Sequence, residues 1–154
     1  VVVRRSVLLR SVQRHLGPGE SLSDAAYMWR RHQLGYPYAA AVFVALLLIA
    51  GVVGFEQWSS RLAIGVAGGA LAITATTNYR VLAATTSGLV MLEGARFRQV
   101  ATTLVGRLPT EATVSIQRDT LITTDWLVED IEYTVPKSSQ RAMERMAAVQ
   151  ADFA

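Results

Sequence analysis

The sequence predicts an α+β membrane protein: an antiparallel two-helix transmembrane hairpin followed by a small antiparallel β domain with a C-terminal helix. Three observations predict it. Of 154 residues, 51% are hydrophobic and 18% charged, against roughly 25% charged in a typical soluble domain. The missing charge is concentrated, since no Asp, Glu, Lys or Arg occurs from Gln33 to Phe55 or from Leu62 to Tyr79. After Arg80 the long apolar blocks give way to short β-type runs separated by turn residues. The implied organisation is a basic, helical cytoplasmic arm over 1–35, a helical hairpin over 36–79 and a cytoplasmic β domain over 80–154.

The first block, from Tyr36 to Phe55, has about the ~20 residues that a helix needs to cross the hydrocarbon core. Tyr36 and Tyr38 at one end and Trp58 beyond the other have the amphipathic rings expected at headgroup depth. Pro37 falls in the first turn, where its missing N–H has no partner to lose. The block lies far from residue 1 and has no small-residue cleavage site after it, which separates it from a signal peptide. A core helix with no polar face would need a much larger protein around it. The second block, Leu62 to Tyr79, is shorter and rich in Gly and Thr. Glu56 to Arg61 joins the two through only six residues, so two spans here are antiparallel neighbours.

Small residues recur four apart in both blocks: Gly65 and Gly69, with Gly68 beside them, and Ala41 with Ala45 and Ala50 with Gly54. Such stripes let helix backbones approach closely, so that van der Waals contact drives association in lipid. Two readings compete, packing of the hairpin against itself and docking against another subunit.

Charge divides along the chain. Residues 1–36 hold Arg4, Arg5, Arg10, Arg14, Arg30 and Arg31 against Glu20 and Asp24, a net of +4, whereas residues 81–154 carry a net of −2. The positive-inside rule then predicts a multi-pass inner-membrane protein with both termini cytoplasmic. Val2, Val3, Val7, Leu8, Val12 and Leu16 follow a helical repeat among the first four arginines, as in a basic amphipathic helix on an anionic leaflet. The competing reading is a frayed or partner-bound terminus. Gly17-Pro-Gly19 ends that helix, and Ser21-Leu-Ser-Asp24 resembles a capping box opening a second one through Trp29. Nucleic-acid binding is disfavoured, because the arm has no interleaved aromatic platform.

In the tail, Val81–Thr85 and Leu89–Leu92 around Thr86-Ser-Gly88 predict a β-hairpin. Further strands are predicted at Phe97–Leu104, Thr113–Gln117, Leu121–Thr124 and Ile131–Val135. Pro136 stops the last strand, and Ser138 or Ser139 caps a helix from about Gln140 to Phe153. Its Met143, Met146, Ala147 and Phe153 fall on one side, apolar except for Gln150.

Gly19-Glu20, Trp29-Arg-Arg-His32, the two blocks and then Asn78-Tyr-Arg-Val-Leu-Ala-Ala-Thr-Thr-Ser-Gly-Leu-Val-Met-Leu92 together resemble small bacterial membrane proteins with a pleckstrin-homology-like domain after a helical hairpin. There a basic residue opens the first strand and a Gly turn leads to the second, which Arg80 and Gly88 match. Arginine outnumbers lysine 14 to 1, a bias that looks actinobacterial. In such organisms proteins of this type are similar to accessory subunits of large envelope transporters, including mammalian-cell-entry-type, ABC-type lipid importers.

The chemistry available is thin. Cysteine is absent, and His15 and His32 are the only imidazoles, which excludes a thiol nucleophile and leaves too few ligands for zinc. No G-x-S-x-G, P-loop, H-E-x-x-H or G-x-G-x-x-G motif occurs. Asp125, Glu129, Asp130 and Glu132 read as solvated acids at a strand edge or turn. Thr74, Thr76 and Thr77 can bond back to their own helix. The sequence therefore predicts no cofactor and no catalysis. It predicts a membrane-anchored accessory or scaffold subunit that docks on a larger integral-membrane complex and contacts anionic lipids. The alternative is a stand-alone lipid-sensing protein of the inner leaflet.

Overall fold

A computed structural model describes residues 5–153. The elements in chain order are α1 (Arg5–Gln13), β1 (Leu22–Arg31), α2 (Gly35–Val52), α3 (Trp58–Thr76), β2 (Thr77–Thr85), β3 (Gly88–Gly94), β4 (Ala101–Arg107), β5 (Val114–Asp119), β6 (Thr123–Val128) and β7 (Ile131–Pro136). A 3-10 turn, Lys137–Ser139, then leads into α4 (Gln140–Phe153). The strands form one seven-stranded sheet in the order β4-β3-β2-β1-β7-β6-β5. Pairings β1–β7, β2–β3, β3–β4, β5–β6 and β6–β7 are antiparallel.

The fold differs from the sequence expectation in two ways. Among the described residues only α2 is long and apolar enough to cross a membrane. The second helix reaches 19 residues but includes Arg61, three glycines and several Ser and Thr, which lower its hydropathy. A two-span transmembrane hairpin is therefore not what the chain forms, and the multi-pass placement with both termini cytoplasmic falls with it, since the positive-inside argument needed two spans. The β structure also does not simply follow the helices. It begins before them, with β1, and the sheet has seven strands rather than the six counted from the tail.

β1 occupies the segment that Ser21…Asp24 marked as a capped helix. Asp24 to Met28 are five consecutive buried residues. A strand in the middle of a sheet covered on both faces has no polar side, so the alternation that advertises a half-buried strand is missing. Ala26 and Met28 face one core, built with Leu82, Trp126, Val135 and, from α4, Met143 and Met146. Ala25 and Tyr27 face the other, with Val81, Ala83, Leu92 and, from α1, Leu8 and Val12. β2 divides its side chains the same way, which places β1 and β2 at the centre of a helix–sheet–helix sandwich.

The tight connections follow local turn chemistry. Thr85 lies opposite Gly88 across a two-residue turn, with Gly88 at φ +114°. Glu129 and Asp130 both take positive φ, 50° and 63°, between paired Val128 and Ile131, the backbone of the primed turns whose twist matches a hairpin. Pro136 ends β7, and α4 then crosses the sheet. Gln150, the polar exception on its inner side, is buried and donates from Nε2 to the carbonyls of Pro109 and Thr110 at 3.1 and 2.7 Å. That contact satisfies a buried amide and ties α4 to the β4–β5 connection.

The chain divides into two compact units, the sheet with α1 and α4, and the segment Arg31–Asn78 with α2 and α3.

Candidate functional site: an apolar helix pair and two ion-pair clusters

Within Arg31–Asn78, α2 and α3 pack as neighbours through a seam of small residues. Gly35, Ala39 and Ala50 of α2 and Gly65, Gly69 and Ala72 of α3 are buried there. A Cβ at Gly65 would stand 2.9 Å from two ring carbons of Phe43 and 3.3 Å from its backbone oxygen, and one at Gly69 would lie 3.4 Å from the Ala39 oxygen. Glycine is thus what allows the backbones to come this close. At Gly68 the nearest atom is a terminal methyl of Leu46. Of the remaining small residues singled out in the sequence, Ala41 and Ala45 point away from the seam and Gly54, at φ +94°, follows the end of α2. Thr74 and Thr76 return their hydroxyls to the Ala70 and Ala72 carbonyls of their own helix, and Thr77, the first residue of β2, donates to the Ile73 carbonyl at the end of α3.

Outside the seam the pair is apolar and uncovered. Leu48 is 67% exposed and Val52 89%, with Val44 and Ile49 beside them, and Val66 and Leu71 of α3 are exposed by 61% and 66%. The ends of the pair carry the polar contacts. The Arg31 guanidinium lies 5.3 Å from the Tyr36 ring centroid and donates to its hydroxyl. In the loop, Arg61 Nε donates to the Phe55 carbonyl at 2.5 Å, which folds the one cation of α3 back on its own connection.

The arm arginines separate in space. Arg4 lies outside the described residues. Arg10, Arg14, Arg30 and Arg31 are exposed, whereas Arg5 pairs with the buried Asp24, Nη2 to Oδ1 at 3.1 Å. On α1, Leu8 and Val12 are buried against the sheet. Ser11 Oγ donates to the Leu8 carbonyl and accepts from Ala101 N at 3.0 Å, tying the helix to β4. Leu8 and Val12 are thus taken up by the sheet rather than free for a headgroup layer, Leu16 is partly buried beside them, Val7 is exposed, Val2 and Val3 lie outside the described residues, and Arg10 and Arg14 remain outward.

Two clusters were not foreseen. In the first, the Asp24 carboxylate joins α1, β1 and α4: Oδ1 accepts from Arg5 and from Ala25 N, and Oδ2 accepts from Arg145 Nε at 2.8 Å and from its Nη2. In the second, Glu20 accepts from Ser87 Oγ, from Arg107 Nη2 and from Gly17 N, and Arg107 Nη1 donates to Ser87 Oγ. The Ser87 and Arg107 bonds hold the Glu20 carboxyl below its usual value near 4.5. No sequence signal links positions 19 to 121 residues apart, and only the fold reveals them.

Burial raises the Tyr27 phenol well above its ordinary value, and the nearby Tyr79 ring, stacked at 5.8 Å, adds to the effect. Tyr27 donates to the Ala95 carbonyl at 2.9 Å, a structural bond. Burial likewise raises Tyr133. Of the clustered acids, Asp125 accepts from Thr134 Oγ1 at 2.8 Å across β6 and β7. Among the described residues no three His, Asp or Glu converge as metal ligands would.

Comparison with protein-family models, curated proteins and solved structures returns no match for this chain.

Proposed function

We propose that this chain is a non-catalytic accessory subunit, in which the α2–α3 pair docks on a larger membrane complex and the sheet unit is the folded body thereby attached. The uncovered apolar surface of the pair supports this reading. Scattered exposed apolar residues are ordinary, but a contiguous apolar face on two packed helices marks an interaction site. Where the face is bathed in lipid, close van der Waals packing rather than removal from water supplies the attraction, and Val44, Leu48, Ile49, Val66 and Leu71 offer several side chains at once. The occupant must be equally apolar, and α2 has the length and composition found in membrane segments. Small residues on the outer side, Ala41 and Ala45, leave room for a close helix–helix approach.

A photo-crosslinking residue placed in the full-length chain at Leu48 or Val66 tests the reading, with Gln117 on exposed β5 as control. Both helix positions should capture the same protein species in fixed proportion, the control should not, and Ile49→Asn should abolish capture. Adducts only to lipid, or capture unaffected by Ile49→Asn, would overturn it.

A further inference from the structure

The Asp24 cluster borders a cavity of about 290 Å³. Its polar wall is Arg5 from α1, Ser138 and Ser139 from the 3-10 turn, and Arg141 and Arg145 from the first turns of α4. Ala25 and Ala142, both small, form part of its apolar side. Three arginines and two serines therefore line one space. Asp24 is the carboxylate that neutralises them, and it is committed to Arg5 and Arg145, so a net of two positive charges is left.

The arrangement of the donors is more specific than a surface excess of arginine. Asp24 is buried, with its side chain 6% exposed, whereas Arg5 and Arg145 are 61% and 53% exposed. The carboxylate accepts from Arg5 through Nη2 and from Arg145 through Nε and Nη2. A guanidinium has five N–H donors in a fixed plane, so each of these cavity-lining arginines retains donors beyond those that Asp24 takes. Ser139 is buried, and among the described residues neither it nor Ser138 has a side-chain hydrogen bond. Arg141 likewise has no ion pair there, although it stands one turn before Arg145 on the same helix. Like charges so placed repel in the empty site, and an anion with several acceptor oxygens turns that repulsion into attraction.

We infer that this cavity is a binding site for a phosphate group, gripped by Arg5, Arg141 and Arg145 with hydroxyl bonds from Ser138 and Ser139. The planar forks of arginine match phosphate oxygens in bidentate fashion, and charge-assisted bonds of this kind are about twice as strong as neutral ones. The volume lies at the lower edge of the ~300–1,000 Å³ typical of small-molecule pockets, which suits a phosphate on a small carrier rather than a whole nucleotide. That carrier is either a soluble phosphomonoester or the headgroup of an anionic lipid. The inference rests on this cavity alone and stands or falls independently of the docking of α2 and α3.

Calorimetric titration of the full-length chain with inorganic phosphate, at constant ionic strength, is one arm of the test. Cosedimentation with phosphatidylcholine vesicles, with and without phosphatidic acid, is the other. The chain should bind at least one phosphate-bearing probe, and Arg141→Gln should weaken that binding ~10-fold or more, the loss of about one charge-assisted contact. Ser139→Ala, a smaller change made in case the first variant is poorly folded, should weaken it in the same direction. Arg118→Gln, on β5, should leave it unchanged. Binding of phosphate without retention on phosphatidic-acid vesicles points to a soluble phosphoester, and retention on those vesicles points to a headgroup, each supporting the site if Arg141 is required. Failure of both probes to bind, or binding indifferent to Arg141→Gln and Ser139→Ala, would overturn it.

Discussion

At Gly65 and Gly68 two glycines three residues apart on α3 meet different obstacles. A side chain at Gly65 collides with the Phe43 ring and approaches the Phe43 backbone oxygen, whereas one at Gly68 overlaps a terminal Leu46 methyl that can rotate aside and otherwise meets Leu46 Cγ and Val42 Cγ1 at an ordinary 3.4 Å. Gly65→Val should therefore destabilise the full chain by ~1–3 kcal/mol through overpacking. Gly68→Ala should be neutral or slightly stabilising, because alanine gains about 1 kcal/mol of helix propensity over glycine. Thermal unfolding followed by circular dichroism would show the two shifts. Glu20 carries a prediction about pH. Its carboxyl titrates below the usual value of 4.5 in the folded chain, so the anion binds Ser87 and Arg107 better than the acid does. The resulting stabilisation is fully present above the unfolded value and disappears as pH falls through the folded one. Glu20→Gln should melt lower than the parent at neutral pH, with the gap closing as the solution is acidified below 4.5. Because Glu20 lies at the surface, raising the salt concentration should also narrow the gap.

Among the elements, β1 shows where sequence signals and tertiary burial conflict. The Ser21…Asp24 spacing looks like a helix start, but the acid in it serves as the partner of Arg5 and Arg145. The residues after it are buried on both faces, so no period of two survives to mark a strand. Met28→Ala should cost ~2–5 kcal/mol, the range for truncating a fully buried side chain. On the outside of a short arm helix the same change would cost under ~0.5 kcal/mol. A denaturant midpoint distinguishes these outcomes. Where local chemistry decides the structure, the sequence was legible. Thr86-Ser87-Gly88 marks the β2–β3 turn, Pro136 marks the end of β7, and the spacing of Met143 and Met146 marks the buried side of α4. The second apolar block misled because it carries no charge, whereas its glycines and threonines, with the Ser59, Ser60 and Arg61 that the helix also includes, lower the hydropathy of α3. The phosphate cavity was illegible for another reason: Arg5, Ser139 and Arg141 become neighbours only when α1 and α4 settle at the same sheet.

Across the whole molecule, the sequence between β1 and β2 is a helical insertion into a sheet that pairs residues from both sides of it. The sheet unit buries its central apolar side chains on two covered faces and leaves Phe97, Leu121 and Ile122 exposed in its loops, while the inserted pair leaves a helix face uncovered at Val44, Leu48, Val52, Val66 and Leu71. This asymmetry is the basis for reading the chain as an attachment module. The two proposed sites differ in the chemistry they invoke: an apolar partner for α2 and α3, and a phosphate-bearing ligand for the arginine cavity. The native mass of the full-length chain, purified in a mild detergent, tests the attachment most directly. A larger assembly with the chain at fixed stoichiometry is expected, dissociating when Leu48 and Val66 are both replaced by Asn. A chain that runs alone, at the same mass with and without those substitutions, would contradict it.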